Sequence, residues 1–83
     1  MTVTVFGLGF VGLTTALGLA EYGHKVYGVE ADQERLKTIC SSALPFLEPG
    51  LDDALRRHLN TNFFPTQTLG EALSQSGVIY YCV

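Results

Sequence analysis

The 83-residue sequence predicts an α/β domain on a parallel, doubly wound sheet with strand order 3-2-1-4. Three observations carry this. Short β-branched or aromatic runs alternate with stretches whose apolar residues recur at helical spacing. The first run opens directly into Gly7-Leu8-Gly9-Phe10-Val11-Gly12, with a helical pattern behind it. A carboxylate, Glu30, closes the second run.

Residues 2–6 read as a β-branched first strand. Leu13, Ala16, Leu17 and Ala20 then form one apolar stripe, and Gly23 ends that helix as a glycine past the last turn does. Lys25 to Glu30 is the second strand. Asp32 caps a second helix that carries Leu36, Ile39 and Cys40 on one face. A loop with an apolar middle spans 41–48. Pro49 suits a first helical position, and Asp52 and Asp53 favour the positive end of the helix that follows, at 51–60. Leu51, Ala54, Leu55 and Leu59 line that helix, which is expected to pack near the third strand. Asn62 to Thr66 is a short third strand, and Pro65 puts it at an edge. Thr68 and Glu71 form a capping box for a short helix with Leu69, Ala72 and Leu73 inward. Gly77 ends it, and Val78 to Val83 is the fourth strand.

Composition narrows the class. With 47% hydrophobic and 16% charged residues the chain lies far from the range of intrinsic disorder. Five Lys and Arg against eight Asp and Glu leave no basic footprint for nucleic acid or an anionic membrane. No apolar run reaches the ~20 residues of a spanning helix. The N-terminus lacks the basic start of a signal peptide. Two cysteines, Cys40 and Cys82, make neither a disulfide framework nor a CxxC pair, so a reducing cytoplasm is expected. The length allows one small domain. The closing run Val78-Ile79-Tyr80-Tyr81-Cys82-Val83 would leave a sheet edge bare if the protein stopped there. Residues 1–83 are therefore expected to be the front of a longer protein, truncated after the fourth strand.

The glycine loop carries the chemistry. A GxGxxG string alone is weak, but here a strand precedes it, a helix follows, and an acid stands 18 residues beyond Gly12. Gly7 allows a tight turn, Gly9 lets the backbone approach a pyrophosphate, and Gly12 lets helix and strand pack closely. The helix start offers N–H groups and the positive end of a dipole to phosphate. Glu30 can accept hydrogen bonds from an adenosine ribose. It also repels a 2′-phosphate, by up to ~4 kcal/mol for charges about 4 Å apart at an effective dielectric of 20. NAD is favoured over NADP. Arg35 is either a solvated helix residue or a contact that offsets part of that repulsion. His24 and His58, far apart in the sequence and with no companion ligand motif, suggest no metal site. No catalytic group is recognisable in the chain.

The whole chain resembles the start of the NAD-dependent UDP-glucose and GDP-mannose dehydrogenases, the nucleotide-sugar 6-dehydrogenase family. The stretches concerned are Val5 to Leu13, Gly23 to Glu30, Leu44-Pro45-Phe46-Leu47-Glu48-Pro49-Gly50-Leu51, and Tyr81-Cys82-Val83. The glycine loop is common to many dehydrogenases; the Glu-Pro-Gly-Leu segment is far more specific. The resemblance implies a Rossmann-like fold, with Phe10 and Val11 holding the cofactor through their backbone. It places Glu30 on the ribose, where the family usually has Asp, and Arg35 near the adenosine. It also implies a two-step oxidation of a sugar C6 alcohol to a carboxylate through a cysteine thiohemiacetal, serving polysaccharide biosynthesis in a homo-oligomeric parent. That cysteine, its lysine and asparagine partners and the sugar-nucleotide site all correspond to positions beyond residue 83. The fragment is thus expected to bind NAD without catalysing.

Other classes fit less well. FAD-binding domains also end the second strand on Glu, but usually continue with a Gly-Gly pair, and Ala31 to Ser42 contains no glycine. Regulatory nucleotide-sensing domains tend to have a Gly-Asp-containing third strand, which Asn62 to Thr66 does not match. Hydroxyacid and prephenate dehydrogenases share everything up to Glu30 but lack Glu48-Pro49-Gly50-Leu51.

Overall fold

In the computed structural model, which describes residues 1–44, 48–68, 70 and 77–81, Thr2–Phe6 forms the central strand β1. The chain continues through α1 (Phe10–Glu21), β2 (Lys25–Val29), α2 (Gln33–Cys40), α3 (Leu51–His58), β3 (Phe63–Thr66) and β4 (Val78–Tyr81). All strand pairs are parallel, in the order β3-β2-β1-β4. Successive strands step outward from β1 to β3, and the next step returns past both to the far side of β1. That reversal makes the sheet doubly wound and creates a switch point between β1 and β4.

Strand alternation sorts the side chains. Val3, Val5, Val26 and Phe63 point to one face and meet Leu13, Ala16, Leu17 and Ala20 of α1, Ile39 of α2, and Ala54 and Leu55 of α3. The other face carries Tyr27 and Val29 with Phe6 and Phe64, and the Tyr27 and Phe64 rings lie 5.8 Å apart. The described helices therefore share a single core face. The helix expected after Thr68 and the second cysteine, Cys82, lie outside the described residues.

Several local expectations need correction. Pro49 is not the first helical residue. Leu51 N–H donates to the Glu48 carbonyl at 3.2 Å, and Gly50, at φ 84° and ψ −18°, caps α3 from the left-handed region. Glu48-Pro49-Gly50-Leu51 is thus a type II turn, which places Pro second and needs a glycine third. The helix ends at His58, close to the expected end; its main packing partner is α1, and Ala54 and Leu55 share the core cluster with Phe63 of the third strand. Leu55 is fully buried in the cluster that holds Leu13 and Leu17. Cys40 is exposed, because it is the last residue of a two-turn helix buried only at Ile39. Glu30 sits just past β2, and β3 begins at Phe63, one residue later than expected.

Asn62, outside the strand, ties two elements together. Its Nδ2 donates to the Ala20 carbonyl at 2.9 Å and the His24 carbonyl at 3.1 Å, and its Oδ1 faces His58 Nδ1 at 2.8 Å. His58 Nε2 in turn lies 3.0 Å from Glu21 Oε1, which also accepts from Arg57. This clasp holds the end of α1 against the end of α3. Hydrogen bonds from Arg57 and then His58 lower the Glu21 pKa below the ordinary glutamate value. A carboxyl with a depressed folded pKa contributes stability above its unfolded pKa and loses it as pH falls through the folded value. Thermal unfolding midpoints should fall as the pH drops below about 4.3, and Glu21→Gln should make that fall shallower.

Candidate functional site

The glycine loop leaves β1 at the carboxyl end of the sheet, at the switch point between β1 and β4. Gly7 N–H donates to the Val29 carbonyl at 2.8 Å, so the loop starts as a continuation of the ladder. The chain then turns out of the sheet at Gly7, whose φ of 88° strongly disfavours a side chain. Gly9 caps α1 in an extended conformation, and Leu13 N–H closes the first helical bond on the Gly9 carbonyl at 2.9 Å. A Cβ built on Gly9 would meet only Arg35 Nη1, at 3.9 Å, among the described residues. Phe10 and Val11 are 54% and 62% exposed. Gly12 and Ala16 are buried on the face that meets the sheet.

An α-helix presents its first N–H groups and a positive partial charge at its start. In α2 and α3 acidic side chains occupy the first turn: Glu34, and Asp52 with Asp53. The first turn of α1 has none. An anionic ligand above Gly9 would meet backbone donors, a helix with no acidic side chain in its first turn, and room next to the guanidinium of Arg35. These features fit the pyrophosphate of a dinucleotide.

Glu30 stands at the edge of this space, only 5% exposed. Its Oε1 accepts from Leu8 N–H at 2.8 Å and from Arg35 Nη1 at 3.3 Å, and its Oε2 accepts from Asp32 N–H at 2.9 Å. Burial acts to raise the Glu30 pKa. The Asp32 and Leu8 N–H groups and Arg35 outweigh it, so the net direction is downward. The carboxyl is therefore ionised at neutral pH. Asp32 continues the network by capping α2, accepting from the N–H groups of Glu34 and Arg35 at 3.0 and 3.2 Å.

The structure thus brings Gly7, Gly9, Phe10, Val11, Gly12, Glu30 and Arg35 to one end of the sheet. Two further residues shape the site, and sequence reasoning passed over both. Leu8 is completely buried, and Gly28 lies beneath it in the middle of β2. A Cβ on Gly28 would stand 2.8 and 2.9 Å from the two Leu8 methyls and 2.9 Å from the Phe63 ring. A glycine inside a strand is the signal that a neighbour approaches closely there. Because Leu8 and Phe63 are both fully buried, neither can yield freely. Gly28→Ala should cost about 1–3 kcal/mol through overpacking, measurable by urea unfolding.

Among the described residues no group of three or more His, Cys, Asp or Glu could hold a metal ion, and no helix is long and apolar enough to cross a membrane.

Comparison with known proteins agrees with this geometry. The sequence profile of the UDP-glucose/GDP-mannose dehydrogenase family, NAD binding domain, matches residues 1–83. An uncharacterised protein of Methanocaldococcus jannaschii is 39% identical over the whole chain, which covers 9% of that protein. UDP-glucose 6-dehydrogenase of Pseudomonas aeruginosa is 38% identical over the whole chain, which covers 18% of it. Among solved structures, a ternary complex of GDP-mannose dehydrogenase from Pseudomonas aeruginosa superposes with a TM-score of 0.93 at 33% identity. That match covers all of this chain and 19% of the other. The chain therefore spans less than a fifth of the length of these relatives.

Proposed function

The chain belongs to the UDP-glucose/GDP-mannose dehydrogenase family, matching its NAD-binding domain throughout, and on that premise we propose that residues 1–83 form the N-terminal part of a dinucleotide-binding domain in a cytoplasmic, homo-oligomeric nucleotide-sugar 6-dehydrogenase. The observation that carries the reading is the glycine loop at the switch point, opening into α1 with the Glu30 carboxylate beside it. Gly7 turns the chain out of the sheet, Gly9 gives the pyrophosphate room, and Gly12 keeps the helix close to β1. The N–H groups at the start of α1, around Phe10 and Val11, face the phosphates. Glu30 receives a ribose hydroxyl, and its charge selects NAD over NADP. Arg35 lies at the adenosine side of the loop.

When bound, NAD accepts hydride from the carbon being oxidised. The part played by this chain is to fix the cofactor; the nucleophile, its partners and the sugar-nucleotide pocket are assigned to the rest of the protein. Holding a cofactor without aligning a substrate beside it forfeits the proximity that makes transfer fast. The test is NADH formation with UDP-glucose, GDP-mannose and related nucleotide sugars. The intact protein should turn over one of them, and residues 1–83 alone should turn over none. Turnover by residues 1–83 would contradict the reading. Tight NAD binding by an intact protein inert toward every nucleotide sugar would favour a nucleotide-sensing domain.

A further inference from the structure

We propose that Glu30 is a positioning residue for the glycine loop, holding it in its ligand-ready shape through the Leu8 N–H before any cofactor arrives. The inference deepens the NAD reading above and rests on it for its consequence in binding. Leu8 has both its side chain and its backbone fastened at the end of β2. Its methyls sit over Gly28 and against Phe63, and its N–H donates to Glu30 Oε1 at 2.8 Å. The residues on either side are Gly7 and Gly9, which have no side chains to anchor them. Without the Leu8 bond the loop would keep the Gly7 bond to Val29 at one end, the first turn of α1 at the other and the packing of the Leu8 side chain between them, but the Leu8 peptide group would lose its acceptor.

The acceptor count sharpens this. An ionised carboxylate offers about four acceptor directions. Leu8, Arg35 and Asp32 occupy three of them, two on Oε1 and one on Oε2. One direction remains, on Oε2, so Glu30 in this arrangement can take one ribose hydroxyl rather than two. Most of its hydrogen-bonding capacity serves the protein itself: the loop, the turn into α2, and the guanidinium beside Gly9. A glutamate here links the loop and α2 through a single side chain.

Loop positioning and ribose reading make opposite predictions for a ligand with no ribose. Inorganic pyrophosphate touches the loop only. If Glu30 merely read the ribose, removing its negative charge would leave pyrophosphate binding unchanged or tighter. If Glu30 positions the loop, pyrophosphate should bind more weakly despite the lost repulsion. Glu30→Met keeps the length of the side chain and removes both acceptors. Glu30→Gln retains one oxygen that can take the Leu8 and Arg35 donors.

The experiment uses the intact protein, with amide hydrogen exchange of Leu8 in the ligand-free state and competition titration of pyrophosphate against NAD. Glu30→Met should speed Leu8 exchange by about tenfold or more and weaken pyrophosphate by about five- to tenfold. Glu30→Gln should recover most of the protection. Wild-type Leu8 exchange in Glu30→Met, or pyrophosphate binding as tight as or tighter than wild type, would overturn the proposal. Should Glu30→Met fail to fold, the wild-type protein decides alone. The Leu8 and Asp32 amide proton resonances should follow one shared acid titration, and a Leu8 resonance indifferent to it would overturn the positioning role. If wild type binds neither NAD nor pyrophosphate, the NAD reading fails, whereas Leu8 exchange still decides the role of Glu30.

Discussion

Phe63→Ala is expected to destabilise the domain by about 3–5 kcal/mol, the usual cost of emptying a fully buried phenylalanine site. At the usual stability per residue, 83 residues correspond to roughly 4–12 kcal/mol of folding free energy, so this one change removes a quarter or more of it. The ring is the largest fully buried side chain among the described residues, and it lies against Gly28. The site cannot collapse easily: β3 is held on β2 by parallel pairing from Val26↔Phe63 to Val29↔Thr66. Its neighbour over Gly28 is Leu8, so the void would open directly beneath the glycine loop. Urea unfolding should show the loss as a lower midpoint with an unchanged slope. A shift of less than about 1 kcal/mol would mean that β3 is not packed as described.

Glu30→Ala should have the largest effect on cofactor choice. On the proposed reading the variant loses a charged acceptor for a ribose hydroxyl, and such bonds are worth about 1.5–3 kcal/mol, or a ten- to hundredfold in affinity. It also loses the loop contact through Leu8 N–H, which weakens both cofactors. NADP is compensated, because the repulsion between its 2′-phosphate and the carboxylate disappears and Arg35 is released from its pairing with Glu30. NAD affinity should therefore drop sharply, NADP affinity should change little, and the preference between them should vanish. Calorimetric titration of both cofactors into wild type and variant measures this. Equal affinities in the wild type would remove Glu30 from the selectivity argument.

Much of this fold is legible in the sequence, because its periodicities are clean. Leu13, Ala16, Leu17 and Ala20 recur at helical spacing and all four are buried; Val3 and Val5 alternate and both face the core. What stays hidden depends on partners distant in the chain or on backbone states that a residue type leaves open. Proline has the same φ at a first helical position and at the second place of a type II turn, so Pro49 fits both; only Gly50 after it argues for the turn. Asn62 reads locally as the start of a strand. Its amide instead bonds carbonyls 42 and 38 residues away. Cys40 has the spacing of a core residue but falls where its helix stops.

The site divides in the same way. The candidates Gly7, Gly9, Gly12 and Glu30 can be picked out from spacing, the glycines within one strand-loop-helix unit and the acid at the end of the next strand. The commitment of Glu30 to Leu8 cannot, because it depends on β1 and β2 pairing in a register that sets Phe6 opposite Val29. Leu8 looks like any apolar residue between two glycines until that register brings it over Gly28.

The most direct test of the whole account is titration of NAD into the intact protein while the backbone amide resonances of residues 1–83 are followed. Saturable changes should cluster at residues 7–12 and 30–35, the loop and the turn into α2, and α3 should stay unperturbed. Saturable NAD binding whose changes fall elsewhere, or an absence of saturable binding, would contradict it.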